Sequence, residues 1–219
     1  MRQLSQPRQP GQPGQRGQRG TTLVELMIGL AILALLAAIG IPSMATWISG
    51  NKAVSAGEFY ADGFAMARRQ AVLHNAASRI VLTPNVNNGQ MDWQVDVCFP
   101  APGVPCNDSS GTWSTTSTPA PSDPEGVNGY KSVLRPADAL PQSDMLAPKL
   151  EPEGTSAVYF TSLGWVDTGY ADRLSRIRLD PAGPHANEIA PVAVAVSLSG
   201  LAIKCNPVLA APDSRACPP

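Results

Sequence analysis

Glu25 is the residue with the clearest chemical significance, because it is the only ionisable side chain in the apolar stretch of residues 21–41. As a helix with a rise of ~1.5 Å per residue, that stretch would span roughly 30 Å of hydrocarbon. A carboxylate in a bilayer costs about 2.5 to 3.5 kcal/mol at a helix centre and less near an end. A charge kept at the mouth of such a helix therefore predicts a functional partner for it.

Residues 1–20 have a composition that cannot supply a hydrophobic core. They contain four arginines, no acidic residue, and glutamines with scattered proline and glycine. The positive-inside tendency then predicts a cytoplasmic N-terminus. A secretory signal peptide would be cut after its apolar stretch, whereas the candidate cleavage point here precedes it.

The run from Gly20 to Ile28, GTTLVELMI, is followed by LAILA at residues 30–34 and by IPS at 41–43. It resembles the class III signal of type IV pilins and type II secretion pseudopilins. The stretch ARRQA at residues 67–71 resembles more narrowly the GspH/FimT family of minor pseudopilins. In that family such a stretch ends the first helix just before the first strand.

This resemblance implies cleavage between Gly20 and Thr21 by prepilin peptidase, followed by N-methylation of Thr21. It also implies that Glu25 pairs with the Thr21 amine of an adjoining subunit in a helical bundle. The partners it implies are other pilins or pseudopilins, prepilin peptidase, the inner-membrane assembly platform and inner-membrane lipid. Thr21 departs from the phenylalanine usual at the first mature position.

The expected fold is α+β and pilin-like, with a long N-terminal helix packed on an antiparallel β-sheet. We expect a leader at 1–20, a membrane-spanning assembly helix at 21–42, a periplasmic continuation of the helix at 43–77, and a periplasmic β domain at 78–219. The expected localisation is the inner membrane, with a single pass and a periplasmic C-terminal domain. An apolar stripe close to a 3.6-residue period supports the continuation.

Pro42 interrupts the predicted helix because it lacks a backbone N–H and clashes with the preceding turn. We expect a helix kink there. The alternative is that glycine and proline are simply common in membrane helices.

After residue 78 the apolar period changes to two, which predicts strands. The predicted strands cover residues 79–82, 93–97, 157–160, 177–179 and 192–198. Ser199 and Gly200 are predicted to turn a C-terminal hairpin. Residues 100–154 are rich in Pro, Ser, Thr, Asp and Gly, and are predicted to be a long surface excursion with little regular structure.

Four cysteines, all on the side of the membrane opposite the leader, are predicted to meet the oxidising periplasm. Of the three pairings, the sequence-local one is preferred, with Cys98 bound to Cys106 and Cys205 bound to Cys217. A zinc site is disfavoured because no C-x-x-C pair is present.

Catalysis is not indicated, and neither is a cofactor. The two histidines, His74 and His185, have no companion nucleophile, and no phosphate loop or H-E-x-x-H motif is present. We expect a structural subunit rather than an enzyme.

Nucleic-acid binding is not expected either. Without the leader, 12 basic side chains face 17 acidic ones, a net charge of −5. Arg68 and Arg69 could form a local patch with Arg79, although a solvated helix face is the commoner explanation. DNA-uptake relatives carry a Gly-Arg-x-Arg motif near the C-terminus, and the corresponding residues 200–204, GLAIK, lack both arginines.

Two machines use such a subunit. One is the type IV pilus, in which a minor pilin acts at the priming tip. The other is the type II secretion system, in which it would be the H-type pseudopilin. The cysteines and the polar excursion favour the pilus, because exposed filament tips gain from cross-links. A DNA-binding minor pilin for DNA uptake is the third alternative.

Overall fold

The computed structural model describes residues 20–107 and 112–218 of the chain. It divides into two units, one ending at Ser43 and one beginning at Met44. The expected α+β architecture is confirmed, with two antiparallel sheets where the sequence indicated one.

The helix α1 spans Leu23–His74, and eight strands follow it in the part of the chain that the structure describes. The strands are β1 Ala77–Pro84, β2 Met91–Cys98, β3 Val133–Arg135, β4 Leu146–Glu151, β5 Ala157–Phe160, β6 Arg176–Pro181, β7 Val192–Val196 and β8 Ala202–Cys205. Two short 3₁₀ turns lie at Gly126–Asn128 and Gly183–His185.

The C-terminal end of α1 is a Schellman motif, three residues before the predicted boundary at 77. Asn75 adopts a left-handed conformation with φ 48°. The N–H of Ala76 donates to the carbonyl of Ala71 at 3.1 Å, and the N–H of Asn75 donates to that of Val72 at 3.3 Å. This cap satisfies the last carbonyls of the helix and directs the chain into β1.

The second half of α1 buries a stripe of small and aromatic residues against both sheets. Its fully buried members are Ala53, Ala56, Tyr60, Phe64, Ala67 and Ala71. Small residues let the sheet approach the helix closely, and a Cβ at Gly63 would lie 2.8 Å from the Ile80 side chain. Ser78 adds a direct tie, since its hydroxyl donates to the Ala67 carbonyl at 2.6 Å.

The first sheet has the strand order β3-β2-β1-β5 and the second has the order β4-β6-β7-β8. All pairings within them are antiparallel. Alternate residues of each sheet enter one shared core with α1, including Ile80 and Val95 of the first and Ile177 and Val194 of the second. The period-two pattern that predicted five of these strands thus reflects the alternation between their inner and outer faces.

The β7–β8 hairpin turns where the sequence predicted it. The N–H of Gly200 donates to the Ser197 carbonyl at 2.8 Å, and Gly200 has φ 78°. A Cβ at this position would lie 2.1 Å from the Gly164 carbonyl oxygen. Glycine is thus required both by the backbone conformation and by the close approach of a neighbouring loop.

The prediction that residues 100–154 have little regular structure was wrong in part. The segment contributes β3 and β4, which form one edge of each sheet. Proline at position 148 lies inside β4, where an edge strand tolerates it because only one side of the strand needs ladder hydrogen bonds.

Two disulfides join Cys98 to Cys106 and Cys205 to Cys217, as in the sequence-local pairing. Each lies in a small cluster separate from the main core. Cys98 packs with Trp113 and Tyr159, and Cys205 packs with two alanines of β7. The bonds therefore fasten the excursion and the C-terminal tail to their own sheets.

Candidate functional site

The candidate cleavage site lies in exposed, non-helical chain immediately before α1. Gly20 and Thr21 are both exposed, and α1 begins at Leu23. A protease needs an accessible and unstructured bond, because a helical peptide group is held by its hydrogen bonds. The local structure at the Gly20–Thr21 bond meets that requirement.

Thr22 caps the N-terminus of α1. Its hydroxyl oxygen accepts a hydrogen bond from the backbone N–H of Glu25 at 3.2 Å. Its carbonyl accepts the first helical bond, from the N–H of Leu26 at 3.1 Å. Thr22 and Glu25 have the spacing of a capping box, in which a hydroxyl satisfies one of the free N–H groups of the first turn.

The Glu25 carboxylate is exposed in the first turn of α1. Within the described part of the chain, no hydrogen bond or ion pair involves its oxygens. An acid at this end of a helix is favoured by the partial positive charge of the free N–H groups. Because the Thr22 hydroxyl already caps the helix, the carboxylate is available to form an ion pair with a cation.

The side chains that follow Glu25 on α1 are apolar and exposed. An 18-residue window of this helix has a mean hydropathy of 2.6, and none of that window is buried. The helix is long and apolar enough to cross a membrane. Exposed large residues on it include Leu26, Met27, Ile28, Leu30, Ile32, Leu33, Leu35, Leu36, Ile39 and Ile41.

Pro42 lies within α1. The kink expected there stays a prediction. The four arginines of the predicted leader lie outside the described residues.

The basic residues considered for nucleic-acid binding are not brought together. Arg79 points away from α1 and pairs with Asp96 at 2.8 Å, and its guanidinium stacks 4.6 Å from the Trp113 ring centroid. Arg68 donates from Nε to the Gly164 carbonyl at 3.2 Å. The hypothesis of a joint patch with Arg79 was therefore wrong, because alternation along β1 places Arg79 on the outer face of its sheet.

Two basic residues near the C-terminus have acidic partners. Lys204 pairs with Glu58 of α1. Arg215 pairs with Asp213 at 2.9 Å, and its hydrogen bonds lower the pKa of that carboxyl to about 2. These pairs reduce the positive potential that the tail presents.

His74 ends α1 and contacts two aromatic rings, with centroids 5.1 Å from Tyr130 and 6.3 Å from Phe99. The side chain of His185 lies outside the described residues. In the ranges that the structure describes, no three His, Cys, Asp or Glu residues are placed to hold a metal ion.

Sequence reasoning missed the capping role of Thr22, although the Thr-x-x-Glu spacing signals it. It also missed the Arg79–Asp96 pair, which no spacing along the chain could reveal because the partners lie on different strands. Both features depend on the positions of polar side chains, which the spacing of apolar residues does not predict.

The sequence model of the prokaryotic N-terminal methylation motif matches residues 15–41. No curated protein and no solved structure matches the chain. The motif indicates a type IV pilin or pseudopilin that prepilin peptidase processes, and hence a structural subunit. It implies interaction with prepilin peptidase and with other pilins during assembly.

Proposed function

We propose that this chain is a minor pilin of the GspH/FimT type that helps to prime the tip of a type IV pilus. Prepilin peptidase cuts the Gly20–Thr21 bond, Thr21 is N-methylated, and the freed helix joins a bundle of like helices. The observation that carries the proposal is the exposed apolar first half of α1, which follows an accessible cleavage site and begins with a carboxylate, Glu25, that has no partner among the described residues.

Before assembly, the first half of α1 stores the subunit in the inner membrane, with the domain of residues 44–219 in the periplasm. Its apolar side chains are exposed within this chain, so lipid or neighbouring helices must cover them. The assembly platform then moves the helix from lipid into the bundle. Lipid and bundle are both apolar, so the transfer preserves the burial of the apolar side chains. The two environments therefore differ mainly in how they stabilise the charge of Glu25.

Glu25 supplies that distinction through the Thr21 amine of an adjoining subunit. In a bundle core, an unpaired carboxylate costs several kcal/mol, whereas a paired one is compensated. The pair thus sets the axial position of each subunit more than it adds net stability. The alternative is an intramolecular ion pair, in which Glu25 binds the Thr21 amine of its own chain, one helical turn away.

Mass spectrometry of the membrane-extracted protein tests processing directly. We expect a chain that begins at Thr21, carries one N-methyl group and has all four cysteines oxidised. A chain recovered with its leader attached, from cells with active prepilin peptidase, would refute the proposal.

Glu25→Ala tests the assembly role. We expect the variant to be processed and membrane-inserted, yet poorly incorporated into filaments, because its helix cannot offer a carboxylate to the neighbouring amine. Asp62→Ala is a matched control, since it removes an exposed carboxylate of α1 beyond the apolar stretch. Normal incorporation of Glu25→Ala would contradict the role in axial positioning.

The preference for the pilus over the type II secretion system rests on the two disulfides. They fasten the excursion and the tail, the parts that a filament tip would expose. Deleting the gene separates the machines, because loss of surface pili with normal export supports the pilus. Loss of protein export with normal pili would instead identify an H-type pseudopilin.

A further inference from the structure

Trp47 lies on the part of α1 that belongs to the folded domain, and its side chain is 69% exposed. Met44, about one helical turn before Trp47, and Ile48, the next residue, are also exposed. Residues three and four apart on a helix share a face, so these side chains form one apolar stripe. Lys52 follows on the same face, one turn after Ile48.

A loop at residues 139–141 converts this stripe into a groove of about 460 Å³. The loop is fixed by Asn88, which is 3% exposed. Its side-chain amide donates to the carbonyls of Ala137 at 2.7 Å and Leu140 at 3.3 Å. Leu140 in turn packs against the main core. The groove is therefore a built feature of the domain rather than a chance depression.

The lining of the groove is mostly apolar and includes one cation. Its described residues comprise apolar side chains, two uncharged polar ones and the Lys52 ammonium group, with no acidic residue among them: Trp47, Ile48, Asn51, Lys52, Ser55, Ala139, Leu140 and Pro141. The neighbouring carboxylate, Asp138, accepts amide hydrogen bonds from Asn85 and Asn87, both at 2.9 Å. This combination suits a ligand that has a hydrocarbon portion beside an anionic group.

The position of the groove along the sequence identifies such a ligand. No charged residue lies between Glu25 and Lys52. As a helix at ~1.5 Å per residue, those 26 intervening residues rise ~39 Å, longer than the roughly 30 Å hydrocarbon core. Tryptophan is enriched where hydrocarbon meets headgroups, and lysine extends its ammonium group toward the interface.

We propose that the groove between Trp47 and the loop at 139–141 is a phospholipid-binding surface. The Trp47 indole lies at the boundary between acyl chains and headgroups, and Lys52 contacts a lipid phosphate. The groove holds the domain against the membrane until the subunit is extracted. The proposal rests on the membrane insertion argued above, but it does not require assembly into a pilus.

Tryptophan quenching by brominated phospholipid tests this site on the full chain in reconstituted vesicles. Bromine quenches only an indole that it approaches closely, so vesicles brominated near the headgroup report on shallow contacts. The variants are Trp47→Phe and, as the matched control, Trp165→Phe, because Trp165 is also exposed, at 59%, but does not line the groove. Trp93 and Trp113 are buried and give a constant background.

We expect bromine-dependent quenching in the wild type and in Trp165→Phe, with loss of most of it in Trp47→Phe. Lys52→Gln should weaken the quenching more in vesicles with anionic lipid than in neutral ones. Equal quenching of Trp47→Phe and the wild type would overturn the proposal. The proposal would also be overturned if neither an aqueous quencher nor brominated lipid quenched the fluorescence of Trp47, since protein would then cover the indole. Vesicle flotation measures insertion separately, so failure of the chain to float would reject the membrane anchor itself.

Discussion

Residues 23–41 and 53–71 belong to the same helix, yet apolar side chains are exposed throughout the first and form a buried stripe in the second. The first region is dominated by leucine, isoleucine and alanine on every face. The second places alanine and two aromatic residues on one face and charges elsewhere. The apolar side chains of the first region are exposed in the described structure, so membrane lipid or other subunits must provide the burial that the domain provides for the second.

The comparison predicts that truncating a side chain affects folding in one region only. Phe64→Ala removes a fully buried ring and should lower the free energy of unfolding of the domain by about 3 to 5 kcal/mol. Urea unfolding of the detergent-solubilised chain, followed by circular dichroism, measures this. Leu33→Ala is the control and should leave the transition unchanged. A similar loss in both variants would show that the first region is part of the folded core.

Charge substitution should produce the reverse pattern. Leu33→Arg places a cation near the middle of the apolar stretch, which costs about 2.5 to 3.5 kcal/mol of membrane insertion. Alkaline carbonate extraction should release a larger fraction of this variant from membranes. The same substitution at exposed Leu201 of the domain should have no such effect. Firm membrane retention of Leu33→Arg would argue against a span at these residues.

The same contrast explains what the sequence could predict. Alternation identified β1, β2, β5, β6 and β7, because each places residues in the shared core, whereas β8 followed from the predicted hairpin. It missed β3 and β4, which are edge strands, one only three residues long and the other interrupted by Pro148. Their pairing depends on distant strands rather than on their own pattern. The position of Glu25 followed from the sequence, whereas a partner for its carboxylate could not be predicted, and none is present among the described residues.

High pH should destabilise the domain. Burial, together with the nearby charge of Asp96, raises the pKa of Tyr130 from 10.0 to about 12. The unfolded chain therefore loses this proton first, and the contribution of Tyr130 to stability is full below pH 10.0 and falls as pH rises toward 12. Urea unfolding across this interval measures the loss. Tyr130→Phe should show a shallower decline with pH, and an unchanged decline would place the titrating group elsewhere.

The smallest predicted effect separates the two functions of the first turn of α1. Thr22→Ala removes the cap and should destabilise the helix start by about 0.5 to 2 kcal/mol while leaving the Glu25 carboxylate in place. Glu25→Gln keeps the shape of the side chain and the cap but removes the charge. If the carboxylate serves assembly, Thr22→Ala should enter filaments far better than Glu25→Gln, as measured by the subunit content of sheared pili. Equal defects would mean that Glu25 acts only by shaping the end of its own helix. Charge pairing would then not explain why the first region of α1 needs neighbouring subunits, whereas the domain folds without them.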